Sequence, residues 1–199
     1  SEIKYRRNMT EESKITTCEW PTGDPLMIRY HDEEWGVPVH DDKKHFEFLT
    51  LEGAQAGLSW ATILKRRAGY KKAFANFDVS KISNFDQSDV ERLLNDSGII
   101  RNKLKINSVI TNAKCFIQIQ KEFGSFDKYI WSFVDNMPIV NNIKSMKEVP
   151  ATSKESDALS KDLKKRGFKF VGTTIIYAHM QACGLVNDHA VYCFRHNLK

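Results

Sequence analysis

The chain has 199 residues, which is enough for one large domain or two small ones. Hydrophobic residues make up 41% of it, which excludes an intrinsically disordered chain. Ten glycines and five prolines are few, so long loops and many-turned β architectures are disfavoured. The net charge of +5 permits an acidic partner such as nucleic acid. On charge alone, ordinary surface lysines are the better explanation.

The N-terminal segment and the lengths of the apolar runs help to predict the cellular compartment of the protein. No apolar run approaches the ~18 residues of a membrane-spanning helix, and residues 1–17 lack the apolar core of a secretory signal. We expect these residues to form a polar, mobile extension ahead of one helical domain over residues 18–199. We therefore expect a cytoplasmic protein, in which the four cysteines are thiols or metal ligands rather than disulfides.

The first half of the chain shows helical signals. Asp41 or Asp42 can cap a helix that Gly57 ends, and Ser59 can cap a helix over residues 60–74. Ser88 is predicted to cap a short helix over residues 89–96. The longest helix is predicted over about residues 102–123, because apolar residues recur there at helical spacing before Gly124.

Helical signals continue in the second half. Ser125 can open another helix, whereas residues 137–153 contain two prolines and are predicted to form a loop. An amphipathic helix follows over residues 153–167, and a final helix over residues 172–183 stops at Gly184. No repeat or strand hairpin is indicated. The sequence predicts an all-α domain of about eight helices.

Two pairs of residues suggest a metal site. His189 and Cys193 are four residues apart and would face the same way on a helical turn, while Cys18 and His31 lie near the other end of the chain. Two histidines and two cysteines make a closed tetrahedral zinc site with no position for water. The alternative, favoured by base rates, is that the cysteines are small buried hydrophobes. Cys115 and Cys183 fall inside helical patterns and are predicted to be core residues.

A glycine-containing turn separates the last two predicted helices, in a hairpin over about residues 156–184. Gly172 opens the second helix, followed by Thr173. A glycine there lets a phosphate approach the free amides, which the helix dipole makes attractive to anions. Basic residues surround the turn, including Lys169. This pattern favours a helix-hairpin-helix that grips the DNA backbone without reading sequence, although a plain helical hairpin is the common alternative.

Aromatic residues and one acid form a further pattern. Trp131 has apolar neighbours and is predicted to be core, whereas Trp20 and Trp35 stand in polar, loop-like sequence. Flat rings that close around a base would explain them. Glu52 is the one charged residue of the stretch LEGAQAGLSW, which ends at Trp60. A solvated helix acid is the usual role of glutamate but explains neither the apolar flanks nor the tryptophan.

Six segments together resemble the 3-methyladenine DNA glycosylase I family: CEW, YHDEEWGVP, LEGAQAGLSWATILKRR, SGIIRNKLKI, SDALSKDLKKRGFKFVGTTI and ACGLVNDHAVYC. They run in order from Cys18 to Cys193. The resemblance implies a bacterial, all-helical member of the helix-hairpin-helix glycosylase superfamily, with one structural Zn²⁺ that ties the two chain ends together. It implies the ligands Cys18, His31, His189 and Cys193. The resemblance therefore favours a zinc site over metal-free, buried cysteines.

The resemblance also implies a base pocket made of Trp20, Tyr30, Trp35, Glu52 and Trp60. Its substrate would be 3-methyladenine in alkylated double-stranded DNA, released as the free base by a monofunctional glycosylase. The attached base carries a positive charge, which aromatic faces attract by roughly 0.5–2 kcal/mol per good contact. Glu52 would be the catalytic and polar recognition residue, and Trp60 the ring stacked on the base.

Several roles outside the pocket are also predicted. Gln55 and Leu58 are candidates to fill the gap in the duplex, and Lys169, Gly172 and Thr173 are candidate DNA contacts. We expect a monomer that does not bind membranes.

One position departs from the wider superfamily, which carries a catalytic aspartate shortly before a histidine. Aligned on His189, that slot holds Asn187 rather than Asp188. Asp188 is therefore not assigned as catalytic; a contact to a zinc ligand or a cap is the alternative. Nothing marks Lys169 as a Schiff-base nucleophile, which argues against a lyase step. The competing functions are a non-catalytic DNA-binding module, an inactive homologue, and a zinc hydrolase, which would need an open coordination position.

Overall fold

The computed structural model describes residues 15–197 and forms a mainly helical domain. The predicted extension lies outside the described residues except for residues 15–17. The described part contains nine α-helices: α1 Pro25–Glu33, α2 Asp42–Gln55, α3 Trp60–Ala73, α4 Val79–Ser83, α5 Gln87–Leu94, α6 Lys103–Phe123, α7 Phe126–Trp131, α8 Lys154–Lys165 and α9 Thr173–Ala182. Single 3₁₀ turns occur at Ala75–Phe77, Ser132–Val134 and Met146–Glu148. None of the described helices is long and apolar enough to cross a membrane.

Most helices start where a short polar side chain satisfies a free backbone amide. Asp41 caps α2, Ser59 caps α3 and Ser125 caps α7, as the sequence predicts. The prediction of Ser88 as a cap was wrong. Asp86 caps α5 instead, in a reciprocal capping box in which its side chain and that of Asp89 accept each other's backbone N–H.

Two short helices were missed by the sequence analysis, α1 and α4. The sequence around α1 is polar, and Tyr30, His31 and Asp32 are its buried residues, so periodicity gives little signal. The start signals are nevertheless present: Asp24 accepts a hydrogen bond from the Leu26 amide, and proline occupies the first turn. Tyr30 and His31 are therefore held by a helix and not by a loop.

The segment predicted as a loop, residues 137–153, pairs with the C-terminal segment. Strand β1, Ile139–Val140, runs parallel to strand β2, Val186–Asn187, and an isolated bridge joins Ile143 to Ala190. The all-α prediction therefore omitted a small parallel pairing. It lies just before His189 and fixes the backbone that presents this residue.

The polypeptide after β2 is not helical. Residues 191–197 form turns, so the helical spacing argument for His189 and Cys193 was wrong. The Cys193 amide donates to the carbonyl of Ala190 at 2.8 Å, and this turn returns the thiol toward His189.

One continuous apolar core joins the helices. Helix α6 packs against α2, α4 and α5 in it, and α9 packs against both α8 and α2. Cys183 is buried in the core, as predicted, whereas Cys115, also predicted to be a core residue, is only half-buried and packs against the core. Since α2 carries Glu52 and packs on α9, these two helices set the position of the acid relative to the last segment of the chain.

Candidate base pocket and cysteine–histidine cluster

A cavity of about 260 Å³ opens between α1, α2, the start of α3 and α9. All five residues predicted for a base pocket line it. Four further lining residues carried no signal in the sequence, because they are apolar or uncharged. The lining residues are Trp20, Met27, Tyr30, Trp35, Glu52, Gln55, Trp60, Val149, Ala178 and Gln181.

The aromatic side chains pack against one another around this cavity. The ring centroids of Tyr30 and Trp60 are 5.4 Å apart, and those of Trp20 and Trp35 are 5.1 Å apart in an edge-to-face arrangement. Within residues 15–197, the buried indole nitrogens of Trp20 and Trp60 have no hydrogen-bond partner. A buried indole N–H usually donates to an acceptor. The pocket therefore has aromatic walls, and in the described residues the buried N–H groups of two of its rings meet no acceptor.

Glu52 is the acidic group of this cavity and is only 4% exposed. Burial alone raises the pKa of its carboxyl group to about 8, with no described donor opposing the shift. Burial, and then the charge of Glu52, also raises the pKa of Tyr30. A carboxylate in this position lacks compensation from the protein, so it is suited to pair with a cation or with donors of a ligand.

Four residues from the two ends of the domain form a buried cluster beside the pocket. The ligand atoms of Cys18, His31, His189 and Cys193 all lie within 4.8 Å of one another. Nε2 of His31 is 3.6 Å from Sγ of Cys193, and Nδ1 of His189 is 3.8 Å from Sγ of Cys18 and 3.6 Å from Sγ of Cys193. Tetrahedral zinc with ordinary bond lengths separates nitrogen and sulfur ligands by about 3.5 Å. The donor set and its spacing therefore fit such an ion.

The second ring nitrogen of each histidine in the cluster is held by the protein. Nδ1 of His31 lies 2.8 Å from Oδ1 of Asp32, and Nε2 of His189 lies 2.7 Å from the carbonyl oxygen of Trp35. These acceptors hold the N–H of each ring and leave the other nitrogen facing the cysteines, the usual arrangement of histidine ligands. A hydrogen bond from the Cys18 thiol is the largest cause that lowers the pKa of the Cys193 thiol.

The cluster also supports the wall of the pocket. The ring of Trp20 packs edge-on against His31 with centroids 5.2 Å apart, and the ring of Trp35 packs edge-on against His189 at 4.7 Å. Two pocket tryptophans therefore rest directly on two residues of the cluster.

Asp188 lies at the centre of a different hydrogen-bond network. Its fully buried carboxylate accepts hydrogen bonds from the Tyr177 hydroxyl at 2.5 Å, from Asn141 Nδ2 at 2.7 Å and from Gln181 Nε2 at 2.9 Å. In the described residues its side chain neither forms a hydrogen bond with a cluster histidine nor caps a helix. Because Gln181 lines the pocket, its hydrogen bond connects Asp188 to the wall of the cavity.

The turn between α2 and α3 forms the rim of the cavity. Gln55 ends α2 and lines the pocket, and Leu58 follows in the turn with 39% of its surface exposed. The Lys105 ammonium donates to the carbonyls of Ala54 at 2.9 Å and Ala56 at 2.7 Å. These two hydrogen bonds fix the backbone of the turn. An apolar side chain is thus presented to solvent from a fixed backbone.

The predicted hairpin consists of α8, a turn over residues 166–172, and α9. The φ of Gly172 is −58°, and a Cβ built there would meet no atom within 4 Å. Neither backbone conformation nor crowding by the protein requires a glycine at this position. Lys169 is exposed, while its backbone is fixed by two hydrogen bonds with the Asn112 side chain at 2.8 and 3.0 Å. The Thr173 hydroxyl is engaged internally, since it donates to Asp157.

Comparison with known proteins identifies the family. The family model for methyladenine glycosylase matches residues 20–196, so the chain belongs to the methyladenine glycosylase family. It is 53% identical over 176 residues to DNA-3-methyladenine glycosylase 1 of Escherichia coli, covering 88% of this chain and 94% of that protein. It is 46% identical over 178 residues to DNA-3-methyladenine glycosylase of Haemophilus influenzae, covering 89% and 96%. The fold also matches a crystal structure of a tyrosine-to-phenylalanine variant of 3-methyladenine DNA glycosylase I in complex with 3-methyladenine. The TM-score is 0.89 and the sequence identity is 33%, with 92% of this chain and 98% of that chain covered.

Proposed function

We propose that this chain is a monofunctional DNA glycosylase of base excision repair, which hydrolyses the N-glycosidic bond of 3-methyladenine in alkylated double-stranded DNA. The observation that carries the proposal is the buried carboxyl group of Glu52, which has no donor among the described residues and opens onto a cavity walled by four aromatic rings. The names of its relatives agree with this chemistry.

Recognition follows from charge. A 3-methyladenine still attached to its sugar is a cation, whereas normal adenine is neutral. Aromatic faces attract the cation by roughly 0.5–2 kcal/mol per good contact, and its charge favours the ionised form of Glu52. A neutral base gains less from the rings and does not compensate the buried carboxylate.

The bond-breaking step needs little acid catalysis. When the C1′–N9 bond breaks, its electron pair stays with the base and neutralises the positive charge, so no proton has to be supplied. The sugar acquires oxocarbenium character, and a water molecule adds its oxygen to C1′ and loses a proton. The role of Glu52 is to bind the flipped base, while Tyr30 and Trp60 complete the walls around it.

The DNA contacts proposed for the surrounding surface follow from exposure. Leu58 lies on a turn whose backbone is fixed by Lys105. It would enter the gap left by the flipped nucleotide, with Gln55 beside it. The amides at the start of α9 are not capped by a side chain, and the open space at Gly172 lets a phosphate approach them, with Lys169 adding a positive charge. The Thr173 contact would be through its backbone amide, because its hydroxyl is already used.

We propose that Cys18, His31, His189 and Cys193 bind one structural Zn²⁺. The ion would cross-link α1 and its preceding segment to the C-terminal turns, and four protein ligands leave no position for an activated water. This argues against the zinc hydrolase alternative. A bacterial, cytoplasmic monomer remains a prediction.

The test is release of free base from methylated duplex DNA. The wild type should release 3-methyladenine, and Glu52→Gln should reduce the rate by at least tenfold while remaining folded. Glu47→Gln is the matched control, because Glu47 is a buried acid on the same helix that pairs with Arg67 instead of lining the pocket. DNA binding without base release by the folded wild type would favour a non-catalytic DNA-binding module.

A further inference from the structure

A second group of buried potential ligands lies away from the Cys18 cluster. His45 is on α2, His179 is on α9 and Cys183 follows the end of α9, and each is 0% exposed. One ligand atom from each lies within 4.8 Å of the other two. The methyladenine glycosylase function proposed above does not use these three side chains.

The ring-nitrogen lone pairs of the two histidines cannot all be matched with donors. Nε2 of His45 lies 3.1 Å from Oδ1 of Asp127, so its N–H donates to the carboxylate. Burial lowers the pKa of His45 and, with the neighbouring His45, that of His179. With both rings neutral, Nδ1 of His45 carries a lone pair and faces Nε2 of His179 at 3.4 Å.

Both tautomers of His179 leave a buried lone pair without a donor. If the proton is on Nε2, it is shared with His45, and Nδ1 of His179 has no hydrogen-bond partner within residues 15–197. If the proton is on Nδ1, two lone pairs face each other. No hydrogen bond from the Cys183 thiol to either ring occurs in this part of the chain. A cation would satisfy the lone pairs that no donor meets.

The spacing of the ring nitrogens fits a metal ion. Two nitrogen ligands of a tetrahedral zinc ion are separated by about 3.3 Å when the bonds have ordinary lengths. The observed separation between His45 and His179 is 3.4 Å. In addition, a carboxylate on the far nitrogen of a histidine, as Asp127 provides for His45, is the usual support of a metal ligand.

We propose that His45, His179 and Cys183 form a second metal site, which takes a divalent transition ion of the zinc class. Two imidazoles and a thiolate are the donors that such ions prefer, and a small molecule such as water would complete the coordination. The ion would join α2 to the end of α9. These are the helices that carry Glu52 and Gln181, so the site would hold two pocket-lining residues in position relative to each other.

The test counts ions on the full-length chain with Co²⁺ as the probe. The metal-free protein is titrated with Co²⁺, and bound metal is measured by mass spectrometry and by the thiolate-to-cobalt absorption band. His179→Phe should bind one ion fewer than the wild type, and Cys183→Ser should lose part of the thiolate band. His40→Ala is the matched control, because His40 is exposed, contacts the same Asp127 carboxylate and is not one of the three proposed ligands; it should bind as many ions as the wild type.

The comparison does not depend on whether the Cys18 cluster binds metal, because that contribution is common to the wild type and the variants. Circular dichroism establishes that each variant is folded, and His45→Leu replaces any variant that is not. Equal metal content and equal absorption in the wild type, His179→Phe, His45→Leu and Cys183→Ser would overturn the proposal and leave a buried histidine pair.

Discussion

Nε2 of His189 donates a hydrogen bond to the backbone carbonyl of Trp35 at 2.7 Å. The other nitrogen of the same ring faces Cys18 and Cys193, while the Trp35 indole lines the candidate pocket. One imidazole therefore connects the cysteine–histidine cluster to the pocket wall. A change in the cluster should consequently alter the pocket as well as the stability of the fold.

Loss of a ligand from this cluster should destabilise the protein. We expect Cys193→Ser to lose one bound zinc ion and with it about 4 kcal/mol of stability, if free zinc exceeds its Kd about a thousandfold. For a chain of this length that lowers Tm by roughly 8–16 °C. Calorimetry and metal analysis measure both effects.

Cys115→Ser is the matched control, because Cys115 is half-buried and outside both clusters. It should keep the zinc content and should lower Tm by no more than a few degrees. A Cys193→Ser protein with the zinc content and Tm of the wild type would remove Cys193 from the ligand set.

The buried carboxyl group of Glu52 should make stability depend on pH. Its pKa is about 8 in the folded protein against an ordinary value of 4.5, so between these values the folded state retains a proton that the unfolded state has lost. The associated stability is fully present below pH 4.5 and is lost as pH rises through 8, at about 1.4 kcal/mol per pH unit. Glu52→Gln should remove this slope.

Urea unfolding at several pH values measures the difference in unfolding free energy between Glu52→Gln and the wild type. The difference should grow in favour of the variant from pH 4.5 to 8 and level off above it. All other titrating groups are shared and cancel. A difference that stays constant over this range would show that Glu52 is ionised in the free pocket.

The sequence already contained the clearest parts of the site. Glu52 stands out because its neighbours are uncharged, and Trp20 and Trp35 stand out because their neighbours are polar. The helices with strong apolar periodicity, such as α6, were located to within a residue or two. These are cases in which the local pattern and the final environment agree.

Other features depend on tertiary structure and left no local signal. Val149 and Gln181 line the pocket because distant segments meet there, and their residue types do not indicate it. The spacing of His189 and Cys193 suggested one site for the wrong reason, because a turn held by β-pairing brings them together instead of a helix. His45 and His179 are far apart in the chain, so no local pattern indicates that they meet.

Trp60 should contribute to binding the base more than to stability. Replacing it with leucine removes one aromatic face of the pocket, and stacking of a base on such a ring contributes about 1–3 kcal/mol. We expect Trp60→Leu to weaken binding of 3-methyladenine by roughly 5- to 150-fold, as measured by isothermal titration calorimetry.

Trp131→Leu is the contrasting variant. Trp131 is 3% exposed, lies outside the pocket, and donates from its indole nitrogen to the Val39 carbonyl at 2.9 Å. It should lower Tm and leave the affinity of the folded protein within about twofold, since no direct contact to the base is lost. Equal loss of affinity in both variants would mean that Trp60 acts through the fold.

Gly172 should matter to DNA but not to the fold. Its φ of −58° suits alanine and its surroundings are open, so Gly172→Ala should change the unfolding free energy by less than about 1 kcal/mol. A methyl group would keep a phosphate away from the α9 amides. Losing a charge-assisted hydrogen bond of about 1.5 kcal/mol predicts roughly tenfold weaker duplex binding by fluorescence anisotropy.

Thr174→Ala is the control for Gly172→Ala, because Thr174 is exposed in the first turn of α9 and keeps its backbone amide when mutated. It should bind duplex DNA like the wild type. Unchanged affinity in Gly172→Ala would place the DNA backbone elsewhere on the surface.

Asp188 should be a positioning residue that acts through Gln181. In Asp188→Asn an amide NH₂ replaces one of the oxygens that accept from Tyr177, Asn141 and Gln181. At least one buried donor then loses its acceptor, so we expect the variant to be about 2–3 kcal/mol less stable. Below its Tm it should still release base, with KM raised more than kcat is lowered.

Tyr177→Phe, which removes one donor and keeps the carboxylate, should show a smaller loss of stability and wild-type kcat. A stable Asp188→Asn protein whose kcat falls by a hundredfold or more would instead make Asp188 a catalytic residue.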